Sequence, residues 1–273
     1  MITFLKGKEL AASLRQELAD KVKELNFTPK LGVILVGSDP ASQLYVDLKE
    51  KAAAEVGIKV DKKLFPKNID EASVINQITE FNNRKDINAI LIQLPLPPQL
   101  NEQTIIETMD FKKDADGFHP QNLQAFLENK KSITPGVSQG IIKLVELAQQ
   151  NLAGKKAVLL VNSQEFAAPL IKLLNQLKME VEVITQLEPT VLLGADVIVV
   201  AIGRPHTIKS EHIKNGAIVI DVGTTKLGNR IVGDVDTSGL DVKNIFITPV
   251  PGGVGPMTVA MLLWNVYYLA TQK

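Results

Sequence analysis

Tyr45 and Lys49 stand four residues apart in a segment that reads as helix, so both side chains project from one face, one turn apart. A phenol beside an amine can hold an aromatic ligand and move a proton. The same pair equally suits a surface lysine next to a half-buried tyrosine. Gln93 closes the apolar run Ala89-Ile90-Leu91-Ile92 and precedes Leu94-Pro95-Leu96-Pro97-Pro98. Ends of parallel strands form ligand crevices, where an amide orients a partner or simply caps the strand. Asp114 and Asp116 lie in the turn Lys113-Asp114-Ala115-Asp116-Gly117-Phe118, where either carboxylate can accept from a ligand or close an Asx-turn.

These residues need a scaffold of alternating strands and helices. Gly7 to Leu25 carries Leu10, Leu14, Leu18 and Val22 at helical spacing. Leu31 to Val36, Ile58 to Phe65 and Ala89 to Gln93 read as strands. Helices are predicted over Pro40 to Val56, capped by Ser38 or Asp39, and over Ala72 to Asn82. After a changeover near Ser132-Ile133-Thr134-Pro135-Gly136, helices are predicted from Val137 to Ala148 and from Glu165 to Leu177. The second set of strands is Lys156 to Val161, Val181 to Ile184, Val197 to Ala201, Ala217 to Asp221 and Phe246-Ile247. Apolar strands separated by helices predict an α/β chain with a mostly parallel, doubly wound sheet.

The 273 residues suit two domains of roughly 130 residues each. With 45% apolar residues, a sizeable core can form. Thirty basic and thirty acidic residues cancel, so no global field attracts nucleic acid or an acidic membrane. The absence of cysteine excludes disulfides and thiolate chemistry, and the three histidines have no metal-ligand spacing. No secretory signal or membrane span is visible, so a soluble cytoplasmic protein without nucleic-acid, membrane or metal partners is expected.

Thr248-Pro249-Val250-Pro251-Gly252-Gly253-Val254-Gly255-Pro256-Met257-Thr258 holds three prolines and three glycines in eleven residues. Proline fixes φ and glycine reaches conformations closed to other residues, so the run predicts one rigid path outside any helix interior. It leads into a helix predicted over Val259 to Ala270. Such a loop suits a ligand site and suits a packed turn. Together with Pro40-Ala41-Ser42-Gln43-Leu44-Tyr45-Val46, Lys49, Lys51, Gln93-Leu94-Pro95-Leu96 and Lys113 to Phe118, it resembles the signatures of one family. That family is the bifunctional methylenetetrahydrofolate dehydrogenase/methenyltetrahydrofolate cyclohydrolases, and the resemblance spans essentially the whole chain.

The resemblance implies an N-terminal α/β substrate domain (1–133 plus 255–273) and a C-terminal Rossmann-like dinucleotide-binding domain (134–254). Folate would lie in the cleft between them, in a homodimer. It implies oxidation of 5,10-methylenetetrahydrofolate with a nicotinamide cofactor, then hydration of the methenyl product to 10-formyltetrahydrofolate. By motif, Lys49 would be the main catalytic residue of hydration and Gln93 would tune it. Tyr45 would stack on the folate, Asp116 would hold the pterin, and Pro251, Gly252 and Gly253 would line the folate cleft. A lysine serves as base only where burial or a nearby cation disfavours its charged form.

The cofactor side departs from the family. Its Gly-Arg-Ser-x-x-Val-Gly-x-Pro stretch corresponds to Val161-Asn162-Ser163-Gln164-Glu165-Phe166-Ala167-Ala168-Pro169, which keeps the serine and the proline. Val161, Asn162, Ser163 and Thr224 are the implied cofactor-binding residues. NADP is the family's cofactor, but Asn162 replaces the arginine that would pair with a 2′-phosphate. Thr185-Gln186-Leu187-Glu188 also replaces a second basic motif. Three readings stay open: NAD with Glu188 or Glu182 on the ribose, a cyclohydrolase that has lost most of its dehydrogenase activity, or NADP held by other residues. Ala195 to Pro205, Ile220 to Thr224 and Gly233-Asp234-Val235 resemble the family's nicotinamide-side segments. A silent folate-binding protein is disfavoured by the joint presence of Tyr45, Lys49, Gln93 and Asp116. A dehydrogenase acting on a shikimate-like acid is disfavoured by the proline-glycine run.

Overall fold

The computed structural model describes residues 1–228 and 230–272, with the side chain of Ala41 also outside the description. The chain runs β1 (Ile2–Phe4), α1 (Gly7–Lys23), β2 (Lys30–Val36), α2 (Pro40–Glu55), β3 (Lys59–Phe65), α3 (Glu71–Asn83) and β4 (Ala89–Ile92). Next come α4 (Glu102–Thr108), α5 (Pro120–Leu127), α6 (Gly136–Leu147), β5 (Lys156–Val161), α7 (Gln164–Gln176), β6 (Glu180–Ile184) and α8 (Pro189–Gly194). It ends with β7 (Val197–Ala201), β8 (Ile218–Asp221), β9 (Thr225–Leu227), β10 (Arg230–Val232), β11 (Ile245–Ile247) and α9 (Val254–Thr271). Among the described residues no helix is long and apolar enough to cross a membrane.

Two compact units emerge. A small-sheet unit holds Ala12–Gly136 and Val259–Lys273, and a large-sheet unit holds Met1–Ala11 and Val137–Thr258. Residues 1–11, expected with the first domain, group with the large sheet because β1 pairs in parallel with β11, Ile2 opposite Ile245. Three residues are too short a run to announce a strand from sequence.

In the small-sheet unit the order is β3-β2-β4, all parallel. The strand β2 is apolar on both faces, as a covered parallel strand must be. Leu31, Val33 and Leu35 join Leu18, Val46, Leu262 and Val266 in one core, while Ile34 and Val36 join Val74, Ile78 and Phe81 in the other. In the large-sheet unit the order is β1-β11-β8-β7-β5-β6, parallel throughout. From β5 the chain adds β6 on one side and later β7 on the other, which makes the carboxyl end of β5 the topological switch point.

One expectation is corrected at the proline-glycine run. The last helix begins at Val254, not Val259, so Gly255 and Pro256 are helical. Pro256 falls in the first turn, where a missing N–H breaks no intrahelical bond.

Candidate active site

The helix α2 begins because Asp39 caps it, its carboxylate accepting from the Ser42 N–H at 2.8 Å, with Pro40 at the first helical position. Asp39, and not Ser38, is therefore the cap. Three turns on, Lys49 is only 9% exposed and donates from Nζ to Gln93 Oε1 at 2.9 Å. Gln93 follows the last residue of β4, and its backbone N–H donates to Ile34 O at 2.9 Å. Its Nε2 donates to Leu94 O at 2.7 Å, so both ends of the amide are engaged and the oxygen must face the lysine. Tyr45 is half-buried, one turn before Lys49.

The turn that follows α4 and a short 3-10 segment, Phe111–Lys113, separates its two carboxylates. Asp114 is buried and structural: it accepts from the N–H groups of Gly117 and His119, each at 2.9 Å, and from Asn122 Nδ2 at 3.0 Å. Asp116 receives none of those donors. Asp116 is half-buried, and burial pushes its pKa above the ordinary value. The Lys49 ammonium opposes that rise, and Asp114 adds to it. Lys49, Gln93 and Asp116 thus form one electrostatically coupled cluster.

Two positioning residues escaped the sequence reading. Asn265, buried in α9, donates from Nδ2 to Ala115 O at 2.9 Å and to Thr134 O at 3.1 Å, anchoring the Asp116 turn. Its signal was a polar residue inside an otherwise apolar helix. Lys113 donates to the carbonyls of Phe81, Asn82 and Arg84 at 2.8–2.9 Å, so it caps the end of α3.

In the large-sheet unit the strand ends bring together the other predicted residues. Val161 is buried as the last residue of β5, opposite Ala201. Asn162 is tethered, donating from Nδ2 to Ile202 O at 2.8 Å. Ser163 caps α7, its Oγ accepting from Phe166 N–H at 3.2 Å and donating to Glu165 Oε2 at 2.7 Å. Ala167 is fully buried, so its methyl group packs inside rather than facing the loop. Thr224 is exposed after β8. Glu182 is tied to Lys156 Nζ at 2.7 Å, whereas Glu188 is exposed before α8 with no side-chain cap bond.

Beneath these loops two buried carboxylates hold the strand ends. Asp221 accepts from the N–H groups of Gly223 and Asp234 at 3.0 Å and of Val235 at 2.9 Å. Burial pushes it up to about 6, opposed by those donors and assisted by the Asp234 charge. Asp234 Oδ2 accepts from Ile202 N–H at 2.8 Å and Gly203 N–H at 3.1 Å, leaving Oδ1 buried without a hydrogen-bond partner.

The predicted folate residues Pro251, Gly252 and Gly253 belong to the large-sheet unit, not to the unit of Lys49. Their residue types have a packing cause. Gly252 has φ 110°, closed to most side chains, and its carbonyl accepts from Lys8 N–H at 2.8 Å. A Cβ on Gly253 would stand 2.6 Å from Thr248 Cβ.

Comparison with known proteins fits both halves. Residues 5–116 match the model of the tetrahydrofolate dehydrogenase/cyclohydrolase catalytic domain, and residues 135–273 match that of its NAD(P)-binding domain. The bifunctional protein FolD 2 of Geobacter metallireducens is 40% identical over 272 residues, covering 97% of this chain and 95% of that one. The bifunctional FolD of Campylobacter jejuni superposes with a TM-score of 0.92 at 37% identity over 99% of each chain. A Trypanosoma brucei FolD, complexed with NADP and an inhibitor, gives 0.92 at 30% identity, covering 99% of this chain and 98% of that one. The chain belongs to the tetrahydrofolate dehydrogenase/cyclohydrolase family.

Proposed function

We propose that this chain oxidises 5,10-methylenetetrahydrofolate to the methenyl cation and hydrates that cation to 10-formyltetrahydrofolate, with Lys49, Gln93, Tyr45 and Asp116 as the working residues. The observation that carries this reading is the 2.9 Å contact from Lys49 Nζ to the fixed amide oxygen of Gln93, with the Asp116 carboxylate electrostatically coupled to the same lysine.

In hydration Lys49 gives up its ammonium proton when the cationic substrate binds beside it. A C–O bond then forms as water attacks the electrophilic methenyl carbon, and the free amine takes the proton that the water releases. The remaining hydroxyl proton passes to N5 as the C–N5 bond breaks, leaving the formyl group on N10. Gln93 holds the lysine nitrogen in place through this exchange. Tyr45 stacks on the folate. Asp116 accepts two parallel hydrogen bonds from the amino-pyrimidine edge of the pterin. The test is Lys49→Met, assayed by loss of methenyl absorbance. Hydration is expected to fall at least about a hundredfold with the thermal midpoint unchanged; full retention of hydration overturns the assignment.

The switch point at β5, followed directly by α7, fits a dinucleotide. A nicotinamide ring, when bound, supplies the acceptor for hydride from the methylene carbon. The residues present do not fit a 2′-phosphate: Asn162 is uncharged and tethered to Ile202 O, and residues 185–188 carry no cation. We therefore propose NAD as the hydride acceptor. With Glu182 engaged by Lys156, Glu188 is the residue for the ribose hydroxyls. Homodimeric assembly in the cytoplasm is part of the same proposal, supported by family membership and by the exposed Leu44, Leu48 and Leu64.

A further inference from the structure

We propose that Glu165 is an internal anion at the phosphate-binding end of α7, which weakens dinucleotide binding and discriminates against ligands of higher negative charge. The inference rests on the reading that the large-sheet unit binds a nicotinamide dinucleotide.

The helix α7 spans Gln164–Gln176 and opens at the switch point. The N–H groups of its first turn have no intrahelical acceptor, and together with the helix dipole they attract anions. In dinucleotide folds that end of the helix faces the ligand's pyrophosphate. Here one such donor, Phe166 N–H, is already taken by Ser163 Oγ. The Glu165 carboxylate accepts from the Ser163 hydroxyl at 2.7 Å and turns back toward its own N–H. Those two donors hold its pKa below the ordinary glutamate value. A carboxylate so placed takes up the interaction a phosphate would make, and the two compete for one positive end.

Nearby cations do little to offset it. The loops after β5, β6 and β8, residues 162–163, 185–188 and 222–224, contain no lysine or arginine. The amide of Asn162 is held by Ile202 O, and Glu188 adds a second exposed carboxylate. Arg204 and His206, after β7, are the basic residues of that strand end. Glu165 is itself exposed, so it can swing away from the helix end when a ligand arrives. The site therefore stays usable, but each added phosphate charge increases the repulsion. A 2′-phosphate contributes about −1.5 to −2 near neutral pH, so NADP is more strongly disfavoured than NAD.

The test is equilibrium binding of NAD and NADP, without folate, to the full-length wild-type chain, Glu165→Gln and Asn162→Arg, at low and high salt. Thermal midpoints serve as the folding control. Glu165→Gln is expected to tighten both dinucleotides by about twofold to tenfold, with the larger gain for NADP and a smaller gain at high salt. Asn162→Arg is expected to tighten NADP alone. Wild-type binding that Glu165→Gln leaves unchanged overturns the role of Glu165 while preserving the dinucleotide reading. A gain for Asn162→Arg with none for Glu165→Gln has the same meaning. Failure of all three proteins to bind either dinucleotide overturns both.

Discussion

In the small-sheet unit, Lys49 and Gln93 fix one another, while Asp116 keeps a carboxylate with no donor from Gly117, His119 or Asn122, all of which serve Asp114. In the large-sheet unit the strand ends are closed on themselves. Asn162 grips Ile202 O, Asp234 grips Ile202 and Gly203, Asp221 grips Gly223, Asp234 and Val235, and Glu165 folds onto Ser163. An open acceptor beside a cation is organised for a ligand. A network whose donors are spent on its own backbone is organised for stability, and any ligand there must compete with it.

The largest effect that would sharpen this contrast is expected at Asp116. Asp116→Asn replaces one acceptor with a donor, so folate affinity should drop by about 30-fold or more. Because burial disfavours the charge it removes, urea unfolding should show no loss of stability. A marked loss of stability would make Asp116 structural and erase the contrast. The pH dependence has a definite sign: the ionised carboxylate is the acceptor and its pKa is raised. Folate binding should therefore weaken, on acidification, at a higher pH than an ordinary aspartate would dictate.

Asp221→Asn should behave in the opposite way. An amide nitrogen would face a backbone N–H, costing about 2–4 kcal/mol in urea unfolding. Asp221 binds its proton more tightly folded, near 6, than unfolded, where the ordinary value is 3.8. Its contribution to stability is then fullest below about pH 4 and declines as pH rises through about 6. The gap between wild type and variant should narrow over that interval. A gap that widens instead would show that the three N–H donors outweigh burial.

The smallest change is expected for Asn162→Ala, which loses one neutral hydrogen bond and about 1 kcal/mol. No change in thermal midpoint would mean that the tether to Ile202 is not maintained in solution.

Much of this was legible in the residues. Apolar runs located β2, β4, β5 and β7 because parallel strands covered on both faces are nearly free of polar residues, whereas the edge strand β3 carries Lys59, Asp61, Lys62 and Lys63. Asp39-Pro40 announced α2, and with it the position of Lys49. The short α4, α5 and α8 were not foreseen, although Asn101 caps the first and prolines open the other two. Six to eight residues are too few to display a helical period. The division of labour between Asp114 and Asp116 was also hidden, since it depends on where backbone N–H groups point. Spacing alone left Gln93 open as a strand cap; the direction of its amide depended on Leu94 O.

The grip of Asn265 on Ala115 and Thr134 carries a consequence for how the protein is made. Ala115 emerges from the ribosome 150 residues ahead of the amide that anchors it. At about 5–20 residues per second, that is a wait of roughly 8 to 30 seconds. During that interval the segment bearing Lys49, Gln93 and Asp116 already exists but lacks its final clasp. The turn that carries Asp116 can be set only when the closing helix arrives, so a nascent chain halted before Asn265 should be unable to retain folate.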